Sequence, residues 1–407
     1  MPIPSPFHSR TSKLCTSLRW KDWAGYHAVC SYRTCHEPEY FAFRHAAGLI
    51  DVTPLFKYEV YGPDAAALLA RITVRDITKL GVGRVTYLCW CDDDGKVVDD
   101  GTVSRLEEDY FRVTAAEPSL SWFERMARGY QVTIEDSTQR WGALALQGPN
   151  SRDILKQVSD ADMDGLGFFR VVRAQLDGVE AFISRTGYTG DLGYEIWVDT
   201  SAGSPGSAGS GTAAERVYDA LTEAGRNFGL LPAGLDAMDV TRIEAGFIMN
   251  GVDYFSAHHC LTEMRKSSPY ELGLGWTVKL DRGPFVGQAA LAREKRAGSA
   301  RLFVGLDVAW TDLERVFAGY GLPPEISSAA WRDGRPVYDR DGRWIGQATS
   351  GAWSPVLKKN LALAQLEASF ATPGERVEIE LTAEYRRHRV TATVVKPPFF
   401  NPPRKRA

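Results

Sequence analysis

Apolar and polar residues alternate along this chain with two different periods, and each period predicts a different element. Apolar residues recur every three or four positions in six segments, which predicts amphipathic helices over 37–47, 63–72, 118–129, 151–158, 213–228 and 234–244. A two-residue alternation predicts strands over 56–61, 85–91, 101–106, 110–114, 131–136 and 141–147. Because helices and hairpins are interleaved, we expect α+β layers in the first two-thirds of the chain.

The chain after residue 304 consists mostly of strand patterns separated by turns. These patterns cover 337–338, 343–350, 361–366, 377–381 and 388–395. Closely spaced short strands are typical of an all-β domain, so we expect a C-terminal barrel or jelly roll. At 407 residues the chain is longer than one hydrophobic core usually serves, which favours two or three domains. The Gly/Ser-rich run 201–212 predicts an unpacked surface loop.

The overall charge and the two ends of the chain exclude several classes of protein. A net charge of -3 argues against a nucleic-acid-binding surface. No run approaches the ~18 apolar residues of a membrane span, and the beginning of the chain lacks the apolar core of a secretory signal. We therefore expect a cytoplasmic protein without a membrane partner. The short basic run Arg404 to Arg406 predicts a solvated end, and the cysteines fit no metal-ligand spacing.

Residues 185–196 (RTGYTGDLGYEI) carry the most informative motif. Apolar runs flank it on both sides, which predicts a strand, a glycine-rich turn and a second strand. The glycines allow a backbone to approach a flat ligand closely. Tyr188 can stack on such a ligand, and Glu195 can accept hydrogen bonds from an amidine-like edge such as that of a pterin. The alternative is a glycine-rich hairpin without a ligand.

This motif resembles the signature of the glycine-cleavage T-protein family, the folate-dependent aminomethyltransferases and their demethylase relatives. Other segments resemble the family in the same order along the chain. They are Arg44 to Thr53 (RHAAGLIDVT), Gly95 to Asp100 (GKVVDD), Leu144 to Pro149 (LALQGP), Gly234 to Gly246, and Gly346 to Pro355 (GQATSGAWSP). The resemblance therefore covers nearly the whole chain.

The resemblance implies a fold, a cofactor and a reaction. The implied fold is an α+β multidomain protein, a three-domain cloverleaf with folate in a central channel and a C-terminal all-β domain. We expect a discontinuous folate-binding domain over 1–55 and 140–265, a second α+β domain over 56–139, and the β-barrel-like domain over 266–407. The implied reaction transfers a methyl, methylene or aminomethyl-derived carbon from a donor to tetrahydrofolate.

The candidate catalytic residue is Asp100. It lies beside Asp99 on the return strand of a hairpin, after the turn Asp93-Asp94-Gly95, and strand alternation points the two carboxylates to opposite faces. They therefore do not form a close acid/base dyad. The essential aspartate of the family aligns with Asp100, where a carboxylate can hold the incoming carbon beside the reduced pterin and stabilise positive charge. The alternative is an acidic pair that flanks a turn.

The resemblance also implies a set of folate-binding residues. They are Leu55, Tyr87, Tyr188, Glu195, Arg242 and Trp276. Leu55 and Tyr87 match positions that line the pterin cavity, although both also suit a core. Trp276 matches an aromatic residue of a "G-W" strand in the family. Arg242 matches an arginine close to the folate, and its alternative is a helix-face arginine paired with Asp239.

Two departures from the family leave the carbon donor open. Met238 stands where the aminomethyltransferases carry an arginine near the folate tail, and the segment 13–35 is enlarged and rich in aromatic residues. An aromatic entrance suits a free methylamino or methoxy compound, whereas the family resemblance favours a lipoyl carrier protein as donor. Both donors therefore stay open as partners.

Two other functions are alternatives to transferase activity. The first is a non-catalytic folate-binding protein of the same fold, but the segment 283–288 lacks the cysteine of the iron–sulfur maintenance proteins. The second is the folate subunit of a flavin-linked demethylating complex, since the chain has no G-x-G-x-x-G motif of its own. We expect a one-carbon transferase.

Overall fold

The computed structural model describes residues 1–201 and 211–407, so most of the loop predicted over 201–212 lies outside the described residues. The chain divides into two compact units. The first comprises Met1–Leu88, Asp100–Met238 and Pro402–Ala407, and the second comprises Cys89–Asp99 and Asp239–Asn401.

The elements are numbered in chain order. The helices of the described residues are α1 (His8–Leu14), α2 (Glu37–His45), α3 (Ala65–Ile72), α4 (Leu120–Met126), α5 (Ser151–Val158), α6 (Ala213–Gly225), α7 (Leu235–Glu244), α8 (Gln288–Ala297) and α9 (Trp310–Ala318). The strands up to the barrel are β1 (Arg19–Trp23), β2 (Tyr26–Ser31), β3 (Ala47–Asp51), β4 (Phe56–Tyr61), β5 (Arg84–Cys91), β6 (Val97–Glu107), β7 (Tyr110–Ala115), β8 (Thr133–Asp136), β9 (Trp141–Gln147), β10 (Val171–Leu176), β11 (Val179–Ser184), β12 (Gly193–Asp199) and β13 (Leu230–Pro232). The barrel strands are β14 (Arg301–Val308), β15 (Arg335–Tyr338), β16 (Trp344–Ser354), β17 (Lys359–Glu367), β18 (Arg376–Ala383) and β19 (Arg386–Val395).

A six-stranded sheet forms the core of the first unit, in the order β10-β11-β12-β9-β3-β13. Its strands pair antiparallel except for β13, which runs parallel to β3. The central strand β9 is buried along its whole length, which explains its nearly continuous apolar sequence. Helices α5 and α6 contribute Ile154, Leu155, Val217 and Leu221 to the same hydrophobic core. The sheet thereby becomes a rigid base for the loop between β11 and β12.

A second sheet has the order β5-β6-β7-β4-β8. On β6, a Cβ atom added to Gly101 would lie 1.9 Å from the main-chain oxygen of Thr114 on β7. No side chain fits at that distance, so glycine permits the close approach of β6 to β7. The next residue, Thr102, donates its main-chain N–H to the Thr114 hydroxyl at 3.0 Å. Gly101 therefore fixes the path of the strand directly beside Asp100.

The second unit contains a closed barrel, β14-β17-β16-β15-β18-β19. Inward-facing alternate residues such as Leu306, Leu366 and Val377 fill its interior. This barrel confirms the all-β C-terminal domain expected from the strand pattern. The division into three domains at 55, 139 and 265 stays a prediction.

The predicted helices are all present as α2 to α7, and only their ends differ. The pattern missed α1, α8 and the hairpin of β1 and β2, and the prediction of strands after residue 304 was wrong for α9. Leu313 and Phe317 lie four residues apart on one face of α9 and are buried against the barrel core. Such a short helix leaves little periodicity in the sequence. Within the described residues, no helix has the length and apolar character needed to cross a membrane.

We expect Gly101→Ala to lower the free energy of unfolding by about 1–3 kcal/mol, because the added methyl group collides with the Thr114 carbonyl. Thermal and denaturant unfolding measure the loss. The matched control is Gly81→Ala, an exposed site in the same unit where the nearest atom would lie 3.8 Å from the new Cβ. Equal stabilities for the two variants would contradict a tight β6–β7 approach.

Candidate active site

Asp100 and Tyr87 form a hydrogen-bonded pair across the β5–β6 hairpin. The Tyr87 hydroxyl donates to Oδ2 of Asp100 at 2.6 Å. Both side chains are half-buried, so they remain accessible from one side. The hairpin geometry follows from the Asp93-Asp94-Gly95 turn, where Gly95 adopts a positive φ of 72°. The Tyr87 hydroxyl thereby fixes the orientation of the Asp100 carboxylate.

Asp99 has a different environment from its neighbour. Its side chain is fully buried and its Oδ1 accepts hydrogen bonds from Nδ2 of Asn250 at 2.9 Å and from the Tyr254 hydroxyl at 3.3 Å. These partners belong to the second unit, as Asp99 does. Asp99 is therefore a structural acid, whereas the partly exposed Asp100 is the one available for chemistry.

Glu195 lies in the first unit on β12, opposite Ser184 of β11. One carboxylate oxygen accepts a hydrogen bond from the Thr186 hydroxyl at 2.6 Å. Burial raises the pKa of Glu195 above its ordinary value, although the bond from Thr186 opposes that change. A buried carboxylate with a raised pKa gains most from a ligand that brings hydrogen-bond donors to it.

The carboxylate of Glu195 lines a narrow cleft between the two sheets of the first unit. Its other lining residues include Val85, Thr102, Ser104, Phe182, Ser184 and Trp197. Because side chains alternate along a strand, Tyr87 shares a face of β5 with Val85, and Asp100 shares a face of β6 with Thr102. Asp100 and Tyr87 therefore lie on the sheet face that bounds this cleft. The strands that carry the candidate catalytic residue therefore also contribute lining residues to the cleft at Glu195.

A buried ion pair closes another part of the cleft. Arg112 donates from Nε to the Glu59 carboxylate at 2.8 Å, and its guanidinium carbon lies 3.8 Å from the centre of the Trp141 ring. Because Glu59 offsets the charge of Arg112, the pair adds little net charge to the cleft. Glu195 is the one carboxylate among the described residues that line the cleft.

The loop between β11 and β12 is anchored by the side-chain amide of Gln147. Its Nε2 donates to the carbonyls of Thr186 at 3.2 Å and Tyr194 at 3.3 Å, and its Oε1 accepts from the Thr189 hydroxyl at 3.0 Å. A Cβ atom on Gly187 or Gly193 would lie within 2.0 or 2.2 Å of this amide. Two glycines of the motif thus make room for Gln147, a role that the sequence pattern alone did not indicate.

The basic run at residues 404–406 is not a solvated end, so that prediction was wrong. Arg404 donates from Nε to Asp191 at 2.7 Å and from Nη2 to its other oxygen at 2.8 Å. Burial lowers the pKa of Lys405 to about 8. The alternation pattern misses this contact because it joins residues 213 positions apart.

Leu55 and Tyr188 lie in loops of the first unit. Leu55 is half-buried. The buried Lys57 ammonium donates hydrogen bonds to the Leu55 carbonyl at 2.7 Å and to the Thr53 carbonyl at 2.5 Å. Burial lowers the pKa of Lys57 to about 7. Tyr188 is half-buried between Gly187 and Thr189 in the anchored loop. Their roles toward folate stay predictions.

Arg242 and Trp276 belong to the second unit. Arg242 is fully buried and donates to Asp239 at 2.7 Å and to Asp253, which matches the alternative of a helix-face arginine paired with Asp239. Burial raises the pKa of Asp239, but Arg242 and Arg332 outweigh it and lower the pKa below its ordinary value. Trp276 is 57% exposed and lies in a 3-10 turn, Gly275–Thr277, so the expected strand is wrong there.

Comparisons with known proteins agree with this architecture. Residues 10–282 match the family model of the GCVT N-terminal domain, and residues 320–401 match that of the glycine cleavage T-protein C-terminal barrel domain. The crystal structure of glycine cleavage system aminomethyltransferase T from Bartonella henselae has a TM-score of 0.81 at 23% identity, covering 98% of this chain and 99% of that chain. This likeness shows the fold.

Two curated relatives are similar over most of the chain. An aminomethyltransferase from Halothermothrix orenii is 36% identical over 366 residues, which are 89% of this chain and 90% of that protein. A trimethylamine-oxide aldolase from Ruegeria pomeroyi is 36% identical over 381 residues, 90% of this chain and 43% of that protein. Fold and relatives together define a one-carbon transferase. The chain belongs to the glycine-cleavage T-protein family.

We expect Glu195→Gln to raise the melting temperature of the ligand-free protein near neutral pH. The native state holds a proton on Glu195 more tightly than the unfolded chain does, so the carboxyl stabilises the fold below its ordinary pKa and loses that stabilisation as pH rises through the raised pKa. Glutamine resembles the protonated form and still accepts from Thr186. Thermal unfolding from pH 4 to pH 8 should show a gain that shrinks toward low pH, and a pH-independent difference would contradict a raised pKa.

Proposed function

We propose that this protein binds tetrahydrofolate in its first unit and transfers to it a methyl, methylene or aminomethyl-derived carbon from a donor. The observation that carries the proposal is that Glu195 lines a cleft with Val85 and Thr102, whose strands β5 and β6 also carry the hydrogen-bonded pair of Tyr87 and Asp100. Membership of a family of one-carbon transferases supports it. We expect the enzyme to act in the cytoplasm, without a nucleic-acid or membrane partner.

The residues around Glu195 have the chemistry that a pterin ring needs. A pterin presents a ring N–H beside an exocyclic amine, and a carboxylate accepts both. Glu195 offers such a carboxylate, Thr186 orients it, and Phe182 and Trp197 supply flat apolar walls to the same cleft. When bound, tetrahydrofolate supplies the nitrogen that accepts the carbon unit.

Asp100 is the proposed catalytic residue. Its carboxylate is held in one orientation by the Tyr87 hydroxyl at 2.6 Å, so it needs no rearrangement to face the donor. A negative charge fixed at this place stabilises positive charge that develops on the transferred carbon. Gly101 keeps the strand in register beside Asp100, which limits how far the carboxylate can drift.

Two donors are compatible with the site. The first is the aminomethyl group of a lipoyl carrier protein, with release of ammonia, as the aminomethyltransferase relatives suggest. The second is a free methylamino or methoxy compound. The buried Met238, in place of the arginine of the family, and the similarity to a trimethylamine-oxide aldolase both favour it. Nothing in the described residues favours a non-catalytic folate-binding protein.

The donors are distinguished by offering each to the same enzyme with tetrahydrofolate and measuring the one-carbon-loaded folate by mass spectrometry. Turnover with the loaded lipoyl carrier alone identifies an aminomethyltransferase. Turnover with free methylamines or methoxy compounds alone identifies a demethylase. An absence of product with every donor, despite binding of tetrahydrofolate, would support the non-catalytic alternative.

We expect Glu195→Gln to weaken tetrahydrofolate binding by roughly 10- to 100-fold, because hydrogen bonds to a charged acceptor are replaced by bonds to a neutral amide that also brings its own donors. Isothermal titration calorimetry measures the dissociation constant. The control is Glu180→Gln, which removes an exposed carboxylate paired with Arg173 on the neighbouring strand β11. If Glu195→Gln and the control bind equally well, Glu195 does not hold the pterin.

We expect Asp100→Asn to lower kcat by roughly 10²-fold or more while the dissociation constant of tetrahydrofolate changes little, since the carboxylate acts on charge that exists only in the transition state. Steady-state kinetics and calorimetry on the same preparation separate the two effects. Asp93→Asn, in the exposed turn of the same hairpin, is the control and should retain wild-type turnover. An unchanged kcat in Asp100→Asn would remove this residue from the mechanism.

A further inference from the structure

We propose that Arg404 is a positioning residue for the folate site. Together with Arg44 it clamps Asp191 and thereby holds the loop 186–193 in its binding conformation. Asp191 lies in the middle of that loop, and its side chain is fully buried. The functional part of this proposal rests on the proposed binding of tetrahydrofolate at Glu195.

The contact between Arg404 and Asp191 has the geometry of a specific clamp. Nε and Nη2 of Arg404 meet the two carboxylate oxygens separately, at 2.7 and 2.8 Å, which is the bidentate arrangement that only arginine provides. Nη2 of Arg404 also donates to the main-chain carbonyl of Arg44 at 3.1 Å. One guanidinium therefore joins the loop to the segment at the end of α2.

Arg44 completes the clamp from the other side. Its side chain is 1% exposed, and its Nη1 lies 3.6 Å from Asp191 and donates to the Thr189 carbonyl at 2.9 Å. Asp191 in turn accepts the main-chain N–H of Leu192 at 2.8 Å. Residues 189 to 192 are thus fixed by both guanidiniums, directly or through Asp191.

The clamp is connected to the candidate ligand-binding residues by short stretches of chain. Tyr188 directly precedes the fixed residue Thr189. After Leu192, whose carbonyl accepts from the Gly148 N–H at 2.7 Å, the chain enters β12 at Gly193 and reaches Glu195 two residues later. A displacement of Asp191 therefore changes the positions of both Tyr188 and Glu195, without any contact between Arg404 and the ligand.

The segment that carries Arg404 is itself held in place. Arg185 donates to the Ala407 carbonyl, and Arg152 donates to the same oxygen at 3.0 Å. Nε of Arg152 also donates to the Tyr194 hydroxyl at 3.1 Å. These contacts fix the main chain on the C-terminal side of Arg404, so its side chain meets Asp191 from an anchored segment.

The first test measures the loop without any ligand. We expect Arg404→Met to raise amide hydrogen exchange in residues 186–193 more than in the core strand β9, and to lower the melting temperature, because the buried Asp191 carboxylate then has only Arg44 beside it. Arg404→Lys keeps the positive charge but loses the bidentate geometry. Its amide exchange in residues 186–193 should therefore lie between those of the wild type and Arg404→Met. The matched control is Arg406→Met, which removes an exposed charge from the same segment. Unchanged loop exchange in Arg404→Met would overturn the clamp.

The second test concerns the site. We expect Arg404→Met to weaken tetrahydrofolate binding by about five- to tenfold and to raise KM more than it lowers kcat, with partial recovery in Arg404→Lys. Loosened exchange with unchanged affinity would refute the positioning role. If the wild-type protein itself does not bind tetrahydrofolate, the proposed function fails, whereas the exchange result still decides the clamp. If Arg404→Met does not fold, Asp191→Asn removes the other charge of the same ion pair. Amide exchange in residues 186–193 and tetrahydrofolate affinity are then measured on that variant.

Discussion

The buried amide of Gln147 is the interaction on which the candidate site depends. It forms hydrogen bonds with Thr186 and Thr189 of the loop 186–193 and with Tyr194 of β12. It fits only because Gly187 and Gly193 have no side chains. A buried amide must find partners for its donors and its acceptor, so the loop has little freedom to choose another conformation. Two of the glycines in this motif are therefore explained by the space that the Gln147 side chain needs.

Two acids of the same motif show how environment separates structural and functional roles. Asp191 is enclosed by two guanidiniums and holds the loop in place. Glu195 accepts a hydrogen bond from the neutral hydroxyl of Thr186, and burial raises the pKa of its carboxyl group. The first acid has its charge offset within the protein, whereas the second is suited to a ligand that carries donors. On the β5–β6 hairpin, Asp99 is buried and accepts from Asn250 and Tyr254, whereas Asp100 is half-buried and accepts from Tyr87.

In the second unit, an arginine that matches a family position near the folate is paired within the protein. Arg242 occupies a position associated with folate, yet here it lies fully buried among Asp239, Asp253 and a main-chain carbonyl. Asp253 also accepts hydrogen bonds from Thr349 and Ser350 of the TSG segment. The network ties α7 to the barrel strand β16 and accounts for both motifs by charge pairing within the unit.

The resemblance to family motifs singled out Asp100, Tyr87 and Glu195. The sequence by itself also determined the type of most elements and an all-β domain in the C-terminal part of the chain. These features depend on local periodicity and turn chemistry, which short stretches of sequence encode. Only the tertiary structure decided which partners the charged groups take. Arg404 meets Asp191, Arg242 meets Asp253, and Glu195 faces the cleft bounded by β5 and β6, because distant segments are brought together by the packing of sheets. A pattern with a period of two or 3.6 residues contains no information about such pairs.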